Sequence, residues 1–457
     1  MKVATGLLAR ERVVVHVESQ AARWISALAV LSLSGWVLLL HTDFSWSMTI
    51  LAAVVLIARG IFLGRPVTAV HASVAMLVCI VGIGAVFLAF DLLGNLLLVA
   101  AALVLMSPTG ARPNLADMPR IFRLVDATTG DPLAPFAMQA SKCYHFSADG
   151  RAAIAYRTRL GFAVVSGDPI GDETRFPELV ADFAALCHLR GWRIVVLGCS
   201  ERRLGLWWHT PVTGRRLTAV PIGRDVVIDV ADFDMVGRKY RNLRQAVQRT
   251  KNFGVTTEVV DEQNLDDALL AELTEVILAS RSGSGMERGF SMALDGTLEG
   301  RYPGVKLIVA RDRAGRVQGF HRYATAGGGT EVTLDVPWRR RGAPNGIDER
   351  LSVDMVTYAR GTGAQRLSLA FAAFPEVFTD QHRRVARSLV YAAVHLGDPL
   401  IALESLYRYL RKFHALGDRR YVMATLTQVV PLLVVLLSLE FVPRRRHLAR
   451  TSVAQAS

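Results

Sequence analysis

Hydrophobic and polar residues are distributed unevenly along this 457-residue chain. The first quarter is an almost continuous series of apolar segments, whereas the remainder has the mixed pattern of a globular protein. Residues 24–40 and 44–58 contain no charged side chain, so each predicts a short membrane helix. This pattern divides the chain into a membrane region and a soluble region.

A third apolar segment, residues 67–106, is interrupted only by Asp91, Gly94 and Asn95. These three residues predict a turn between two further helices. Because a membrane span needs about 20 apolar residues, we expect about four short helices within residues 1–110. Three spans remain an alternative, in which the second segment only enters the interface.

The positive charges near the ends of these segments predict their orientation. Lys and Arg precede the first segment, separate the second from the third and follow the fourth. These residues are Lys2, Arg10, Arg12, Arg23, Arg59, Arg65, Arg112, Arg120 and Arg123. The connections at 41–45 and 91–95 carry none. The positive-inside rule therefore predicts a multi-pass protein of the cell membrane whose soluble region is cytoplasmic.

The soluble region shows one succession of predicted elements twice: antiparallel strands, a helix and a buried strand. This order predicts two copies of one α+β unit, at residues 115–234 and 255–425. A basic helix at 235–254 would join them. A last apolar run, within 426–457, is followed by a cluster of arginines, which a spanning helix would export. We therefore predict a helix lying on the inner interface, followed by a basic tail.

The joining segment, RKYRNLRQAVQRTKNFG (238–254), contains six Lys or Arg and no acidic residue. On a helical wheel, one face is apolar and the other is basic. The basic face comprises Arg238, Arg241, Arg244, Arg249 and Lys251. A surface helix in solvent explains such a face equally simply. However, no acidic residue is spaced to pair with these cations, so their repulsion favours a polyanionic partner.

The net charge of +13 also favours an anionic partner, either nucleic acid or anionic lipid. The four cysteines are far apart in sequence and are interpreted as reduced and structural. The sequence contains no recognisable metal or cofactor motif, so no metal and no cofactor are predicted. Gly167, Asp168 and Pro169 are interpreted as a tight turn.

Five segments, taken in order, resemble one known family. They are VVSGDPIGD (164–172), the basic segment at 238–254, MERGFSMAL (286–294), residues 343–374 and ESLYRYLRKFHALGDRRYVMA (404–424). Over about residues 115–425 the chain resembles the synthase domain of phosphatidylglycerol lysyltransferases, the multiple peptide resistance factor family, in its actinobacterial form.

The resemblance implies a membrane-anchored α+β protein with a tandem pair of acetyltransferase-like (GNAT-like) folds. It also implies transfer of an amino acid, lysine by default or alanine, from aminoacyl-tRNA to phosphatidylglycerol. The basic helix would contact tRNA or lipid phosphate.

This sequence departs from the family pattern in several places. It has about four short spans in place of a large flippase, and no lysyl-tRNA synthetase. The family pattern has Asn at Ala370 and Arg near Pro337 and Trp338. These differences leave the amino-acid preference open.

Ester-to-ester transfer requires one oxyanion to be stabilised and one proton to move. Glu287, Arg288 and Asp335 are the predicted catalytic residues. The predicted substrate-binding residues are Arg339, Asn345, Asp348, Glu404, Tyr407, Arg408, Lys412 and Arg420. A plainer interpretation exists for several of them: Asn345 as a helix N-cap, Asp348 as a complement to the helix dipole, and Glu404–Arg408 as an exposed ion pair.

Two alternatives remain open from the sequence. One keeps the aminoacyl-tRNA donor but uses another acceptor, such as a peptidoglycan precursor or another lipid. The other is a catalytically degenerate membrane protein that binds anionic lipid or RNA. The oligomeric state is not predicted.

Overall fold

The computed structural model describes residues 13–15, 20–40, 44–208, 216–281, 293–373, 406–425 and 429–441. Four apolar helices come first: α1 (Gln20–Leu40), α2 (Phe44–Phe62), α3 (Ala69–Phe87) and α4 (Asp91–Leu105). Two of them, α2 and α3, are long and apolar enough to cross a membrane. A short antiparallel pair, β1 (Val13–Val15) and β2 (Val67–Thr68), lies beside them.

The predicted turn between the last two helices is wrong by a few residues. The chain reverses before Asp91, at Ala89, whose φ is +63°. Gly94 lies inside α4, where a Cβ atom would be only 2.8 Å from the carbonyl oxygen of Gly82 on α3. Gly94 is therefore needed for close packing of two helices, and not for a turn.

The soluble region packs against one end of this helical group. There, Arg65 donates a hydrogen bond of 2.7 Å to the carbonyl oxygen of Met106. The indole N–H of Trp192 donates to the carbonyl oxygen of Thr109 at 2.8 Å. A Cβ atom at Gly191 would lie 2.4 Å from the carbonyl oxygen of Gly64, so the α2–α3 connection lies beside the chain that enters the sheet described next.

A single mixed sheet runs through the soluble region. Its strands are β3 (Cys143–Phe146), β4 (Ala152–Arg159), β5 (Phe162–Ser166), β6 (Ile170–Gly171), β7 (Arg193–Ser200), β8 (Thr218–Asp229), β9 (Thr256–Asp261), β10 (Lys306–Arg311), β11 (Val317–Ala326), β12 (Glu331–Arg339), β13 (Arg366–Ala373) and β14 (Leu416–Ala424). The spatial order is β3-β4-β5-β7-β14-β8-β13-β12-β11-β10-β9, and β6 pairs with β4.

The helices of the soluble region are α5 (Met118–Asp126), α6 (Phe176–Leu189), α7 (Leu204–Trp208), α8 (Arg241–Asn252), α9 (Asp267–Arg281), α10 (Ile347–Gly361) and α11 (Val429–Phe441). Helix α6 connects the parallel neighbours β5 and β7. Helix α10 connects the parallel neighbours β12 and β13 in the same way. The predicted succession of antiparallel strands, helix and buried strand is therefore present in both halves, and the tandem interpretation stays a proposal.

The two halves exchange their last strands. Strand β8 precedes the basic helix, yet it pairs with β13 of the second half. Strand β14 ends the second half, yet it lies between β7 and β8. A cut in the chain at the basic helix would therefore leave both halves without a central strand.

The basic helix is shorter than the predicted 235–254. A 3₁₀ turn at Arg238–Tyr240 precedes α8, which begins at Arg241. The helix ends at Asn252, and Gly254 follows the C-cap Phe253 with φ +74°, while the next N–H bonds back to the carbonyl oxygen of Thr250. The buried side of α8 includes Leu243 and Val247, which belong to the same core as α10.

Helix α11 covers the sheet of the first half. Its residues Leu432, Val435 and Leu439 are buried against Phe162 and neighbouring strand residues. Thirteen residues make a helix about 20 Å long, shorter than the hydrocarbon thickness of a membrane. The predicted interfacial helix is thus a helix with one face on the protein, and its contact with a membrane stays a prediction.

Candidate functional site

A polar pocket lies where β12 ends and α10 begins. Its volume is about 420 Å³. The lining residues are Ser280, Arg339, Arg340, Arg341, Gly342, Ala343 and Asn345. The pocket combines three arginines with the N-terminal end of a 15-residue helix, where the helix dipole favours negative charge.

The three arginines of this pocket differ in how they are held. Arg340 is fixed by two bonds to Glu275, at 2.7 and 3.1 Å, and by a bond to the carbonyl oxygen of Val317. Arg339 is half-exposed and lies 3.2 Å from Asp348. Arg341 is exposed and forms no ion pair with any residue that the structure describes. Arg341 is therefore the guanidinium most readily offered to an anion.

The interpretation of Asn345 as the N-cap of α10 is wrong. Gly346 is the N-cap, with φ +102°, and no side chain caps the helix. A Cβ atom at Gly346 would lie 2.7 Å from the carbonyl oxygen of Ala246 on α8, so only glycine fits there. Asn345 is consequently exposed in the pocket, where its side chain is open to a ligand.

The same close approach places the basic helix beside the start of α10. Ala246 lies on the buried side of α8, and the exposed cations lie on the other side of the helix. All five residues of the predicted basic face are exposed. Within the described portion of the chain, Arg238, Arg241, Arg249 and Lys251 form no ion pair, and Arg244 bonds only to the carbonyl oxygens of Met235 and Gly237.

Behind the pocket, a line of polar side chains enters the core. We call Asp348, His321, Tyr323, Ser352 and Tyr409 the buried relay. His321 Nε2 lies 3.2 Å from Asp348 Oδ1, and His321 Nδ1 lies 3.4 Å from the Tyr323 hydroxyl. Tyr323 lies 3.5 Å from the Ser352 hydroxyl, which also contacts the Tyr409 hydroxyl. The relay therefore joins β11, α10 and the helical segment at 406–411.

Asp348 does not line the pocket itself but pairs with Arg339, which does, and 22% of its side chain is exposed. Burial alone would raise its pKa, but the hydrogen bond from His321 and the charges of His321, Arg339 and Lys412 lower it overall. Asp348 is thus an ionised carboxylate. Lys412 pairs with the neighbouring Glu349.

Burial raises the pKa of Tyr323 and, further along the relay, of Tyr409. Both tyrosines stay neutral in the relay and act as hydroxyl donors or acceptors.

Asp335 occupies a different place from Asp348. Its side chain is fully buried, and Oδ2 lies 2.8 Å from Arg322, which also binds Glu262 at 2.8 Å. Its other oxygen accepts a bond of 2.8 Å from the N–H of Leu294. His321 and Arg322 are consecutive in β11 and point to opposite faces of the sheet. The structure therefore does not bring Asp335 and Asp348 together.

The contacts of Asp335 bear on the other predicted catalytic pair. Glu287 and Arg288 lie outside the described residues, in the segment 282–292. Leu294 is the second residue after that segment and is bound by Asp335. Asp335 thus fits the role of an anchor for the chain that carries Glu287 and Arg288, and its catalytic role stays a prediction.

Arg420 also lies away from the pocket, in a second buried cluster. It binds Asp131 at 2.6 Å and Asp225 at 2.7 Å, and it lies 3.6 Å from Asp168. Its side chain is 1% exposed, so these carboxylates occupy the positions that a substrate would need. Burial lowers the pKa of Arg420, but the three carboxylates raise it overall.

The remaining predicted residues of the 404–424 motif are dispersed. Tyr407 is buried in the core of the second half. Arg408 is exposed, and Lys412 is held by Glu349. Glu404 lies outside the described residues.

The sequence did not identify four members of the relay or four buried carboxylates as functional or structural partners. The relay members are His321, Tyr323, Ser352 and Tyr409, and the carboxylates are Asp131, Asp168, Asp225 and Glu262. The one available signal was the adjacent pair His321–Arg322 in the middle of a predicted strand, which predicts one polar side chain on each face of the sheet. Asp168 was assigned to a tight turn, and the turn is present, with φ +75° at Gly167. Its carboxylate nevertheless faces Arg420. No group of metal-binding side chains occurs among the described residues.

Comparison with known proteins extends these observations. Residues 122–424 match the family model described as phosphatidylglycerol lysyltransferase, C-terminal. The chain is 62% identical to an MprF-like domain protein of Mycobacterium tuberculosis, over 98% of this chain and 95% of that protein. It is 30% identical to the lysylphosphatidylglycerol biosynthesis bifunctional protein LysX of Gordonia bronchialis, over 71% of this chain but only 29% of that protein.

Two solved structures share the fold of the soluble region. The first is the C-terminal domain of a putative lysylphosphatidylglycerol synthetase from Agrobacterium fabrum, with a TM-score of 0.60 and 21% identity, covering 71% of this chain and 97% of that one. The second is L-PGS from Bacillus licheniformis, with a TM-score of 0.60 and 19% identity, covering 72% of this chain and 98% of that one. At these identities the likeness concerns the fold alone.

Proposed function

Because the chain belongs to the phosphatidylglycerol lysyltransferase family, we propose that it transfers an aminoacyl group from aminoacyl-tRNA to phosphatidylglycerol at the cytoplasmic face of a membrane. Lysine is the first choice of amino acid and alanine the second. The name of the LysX relative supports synthesis of lysylphosphatidylglycerol, and the two long apolar helices support association with a membrane. The tRNA donor and the cytoplasmic side are the further elements of the proposal.

The observation that carries this proposal is the pairing of opposite charges around one pocket. Asp348 is an ionised carboxylate paired with Arg339 of the pocket lining, and Arg341 is an exposed cation of the same lining. An aminoacyl ester of tRNA presents an ammonium group and a phosphate chain close together. The pocket offers a partner to each of these groups.

The adjoining basic helix completes the recognition of the donor. Its exposed cations lie on the outer side of α8, whose buried side contacts Gly346 at the start of α10. A nucleic-acid backbone bound there would place its acceptor end near the pocket. The phosphate of the lipid would compete for, or share, the same cations.

Transfer between two esters is nearly balanced in energy, so the protein contributes mainly orientation and stabilisation of charge. In this proposal Asp348 holds the ammonium group of the amino acid, and Arg341 and the N-terminal end of α10 hold a phosphate. The proton lost by the lipid hydroxyl ends on the terminal ribose hydroxyl of the tRNA. Glu287 and Arg288 remain the proposed groups at the reacting ester.

The test uses the full chain in phosphatidylglycerol vesicles with tRNA charged with radiolabelled lysine or alanine. Label should enter the lipid phase from one of these donors. Arg341→Gln should lower the rate about tenfold or more, since it removes a charge-assisted hydrogen bond.

Arg316→Gln is the matched control, because Arg316 is another exposed arginine without an ion pair among the described residues. Label that enters only an added peptidoglycan precursor would replace the acceptor in the proposal. The absence of any transfer by folded protein would refute the proposed enzyme.

A further inference from the structure

Resting on the proposed function, we propose that His321 is a positioning residue for the aminoacyl group: it orients Asp348 through a relay of neutral hydroxyl groups. His321 itself never touches the substrate. Its side chain is fully buried, on the core side of Asp348. Its effect on transfer is exerted entirely through the carboxylate in front of it.

The hydrogen-bonding capacity of Asp348 determines how His321 meets it. Asp348 is ionised and only accepts, so His321 donates to it from Nε2. The other ring nitrogen, Nδ1, lies 3.4 Å from the Tyr323 hydroxyl. The Tyr323 hydroxyl in turn contacts Ser352, and Ser352 contacts Tyr409. Both ring nitrogens of His321 are therefore held by polar partners.

This arrangement explains why hydroxyl groups are buried so deeply behind a carboxylate. Tyr323 is fully buried on β11, and Ser352 is fully buried on α10. A buried hydroxyl without a partner is costly, so the relay persists because each group satisfies the next. Its product is one fixed ring orientation of His321 and therefore one orientation of Asp348.

The side of Asp348 that faces Arg339 remains able to change its partner. Its Oδ2 faces Arg339 at 3.2 Å, and 54% of the Arg339 side chain is exposed. An ion pair this exposed contributes little free energy, so an incoming ammonium group can replace or share it. The buried oxygen is fixed by His321, and the outer oxygen is left for the substrate.

The test compares two amide replacements of similar polarity. His321→Gln places its amide N–H near the former Nε2 and can still donate to Asp348. His321→Asn places its amide near the former Nδ1 and cannot reach Asp348. We expect His321→Asn to raise the KM for aminoacyl-tRNA about ten- to hundredfold, the range of a hydrogen bond to a charged group, and His321→Gln to stay within about threefold.

The split between KM and kcat separates positioning from other roles. If both variants lose kcat equally with KM unchanged, His321 exchanges a proton with the substrate and the positioning role is overturned. If His321→Asn folds and behaves as the wild type, His321 has no role. Tyr323→Phe keeps the buried ring and removes only the hydroxyl group. It should raise KM severalfold, and an unchanged KM would refute the relay beyond His321.

Binding without turnover distinguishes this inference from the proposed function. The probe is lysine joined by an amide to 3′-amino-3′-deoxyadenosine, with affinity measured by equilibrium dialysis on the full chain. Wild-type binding that weakens in His321→Asn but not in His321→Gln supports the inference even if no lipid is aminoacylated. No binding by the wild-type protein overturns the inference, whatever the transfer assay shows.

Discussion

Arg420 is surrounded by more negative charge than it can neutralise. One guanidinium faces Asp131, Asp168 and Asp225 in a site that excludes water. Asp168 Oδ2 has no hydrogen-bond partner among the described residues, although its other oxygen accepts from the N–H of Ser200 at 3.0 Å. Burying two uncompensated charges is very costly, so the cluster retains protons that exposed aspartates would lose.

Asp225 makes the stability of the folded protein depend on pH. Burial raises its pKa from 3.8 to about 6, against the opposing charge of Arg420. The folded protein therefore binds this proton more tightly than the unfolded chain does. Stability from this group is complete below pH 3.8 and is lost as the pH rises to about 6.

We predict that the free energy of unfolding of the wild type falls relative to Asp225→Asn between pH 4 and 6, by at most about 3 kcal/mol. Denaturant titrations over this pH range measure the difference. Asp232→Asn, an exposed neighbour without a side-chain bond among the described residues, should track the wild type. If Asp225→Asn instead lost more stability than the wild type as the pH rises, the assignment would be contradicted.

At the scale of elements, α8 has one side in the core and one side without counter-charge. Leu243, Ala246 and Val247 are buried, which fixes the rotation of the helix about its axis. The cations are thereby presented as a group on the outside, beside the start of α10. Packing therefore decides which arginines a polyanion meets.

We predict that Arg241→Gln/Arg249→Gln weakens tRNA binding and lowers the magnitude of the slope of log K against log salt by about 1.4–1.8, since each lost phosphate contact removes about 0.7–0.9. Filter binding at several salt concentrations measures this slope. The matched control is Arg112→Gln/Arg123→Gln, two exposed arginines elsewhere in the chain. An equal loss in both double variants would mean that only net charge matters.

At the scale of the whole molecule, the exchange of β8 and β14 turns the soluble region into a single cooperative structure. Arg420 on β14 holds Asp225 on β8 and also Asp131 and Asp168 from the first half. Since the sheet is continuous across this junction, neither half can lose its central strand without disturbing the other.

We predict that β4 and β11, from opposite halves, lose hydrogen-exchange protection at the same denaturant concentration. Arg420→Met should lower the free energy of unfolding by about 3–5 kcal/mol, because the buried carboxylates lose their partner. Both midpoints should then move together to a lower denaturant concentration. Arg151→Met, at an exposed ion pair with Asp172, is the control and should shift neither. Separate midpoints for β4 and β11 would show that the halves unfold independently.

Local and periodic features of the sequence were sufficient to determine the elements. Some elements depend on interactions within a few residues, so a pattern along the chain predicts them. These are the apolar segments, the alternating strands, the amphipathic α8 and the glycine that follows it. Asp348, Arg339 and the basic face could be selected for the same reason, since they adjoin a predicted helix start or lie on a predicted helix.

Only the tertiary structure decided which side chains meet. The relay joins residues from 321 to 409, and the Arg420 cluster joins residues from 131 to 420. Asp335 and Asp348 are 13 positions apart in sequence yet lie on opposite sides of the sheet, whereas Ala246 and Gly346 are 100 apart and touch. The strand exchange and the burial of charge arise from long-range packing, in which free energy depends on partners that no local pattern contains.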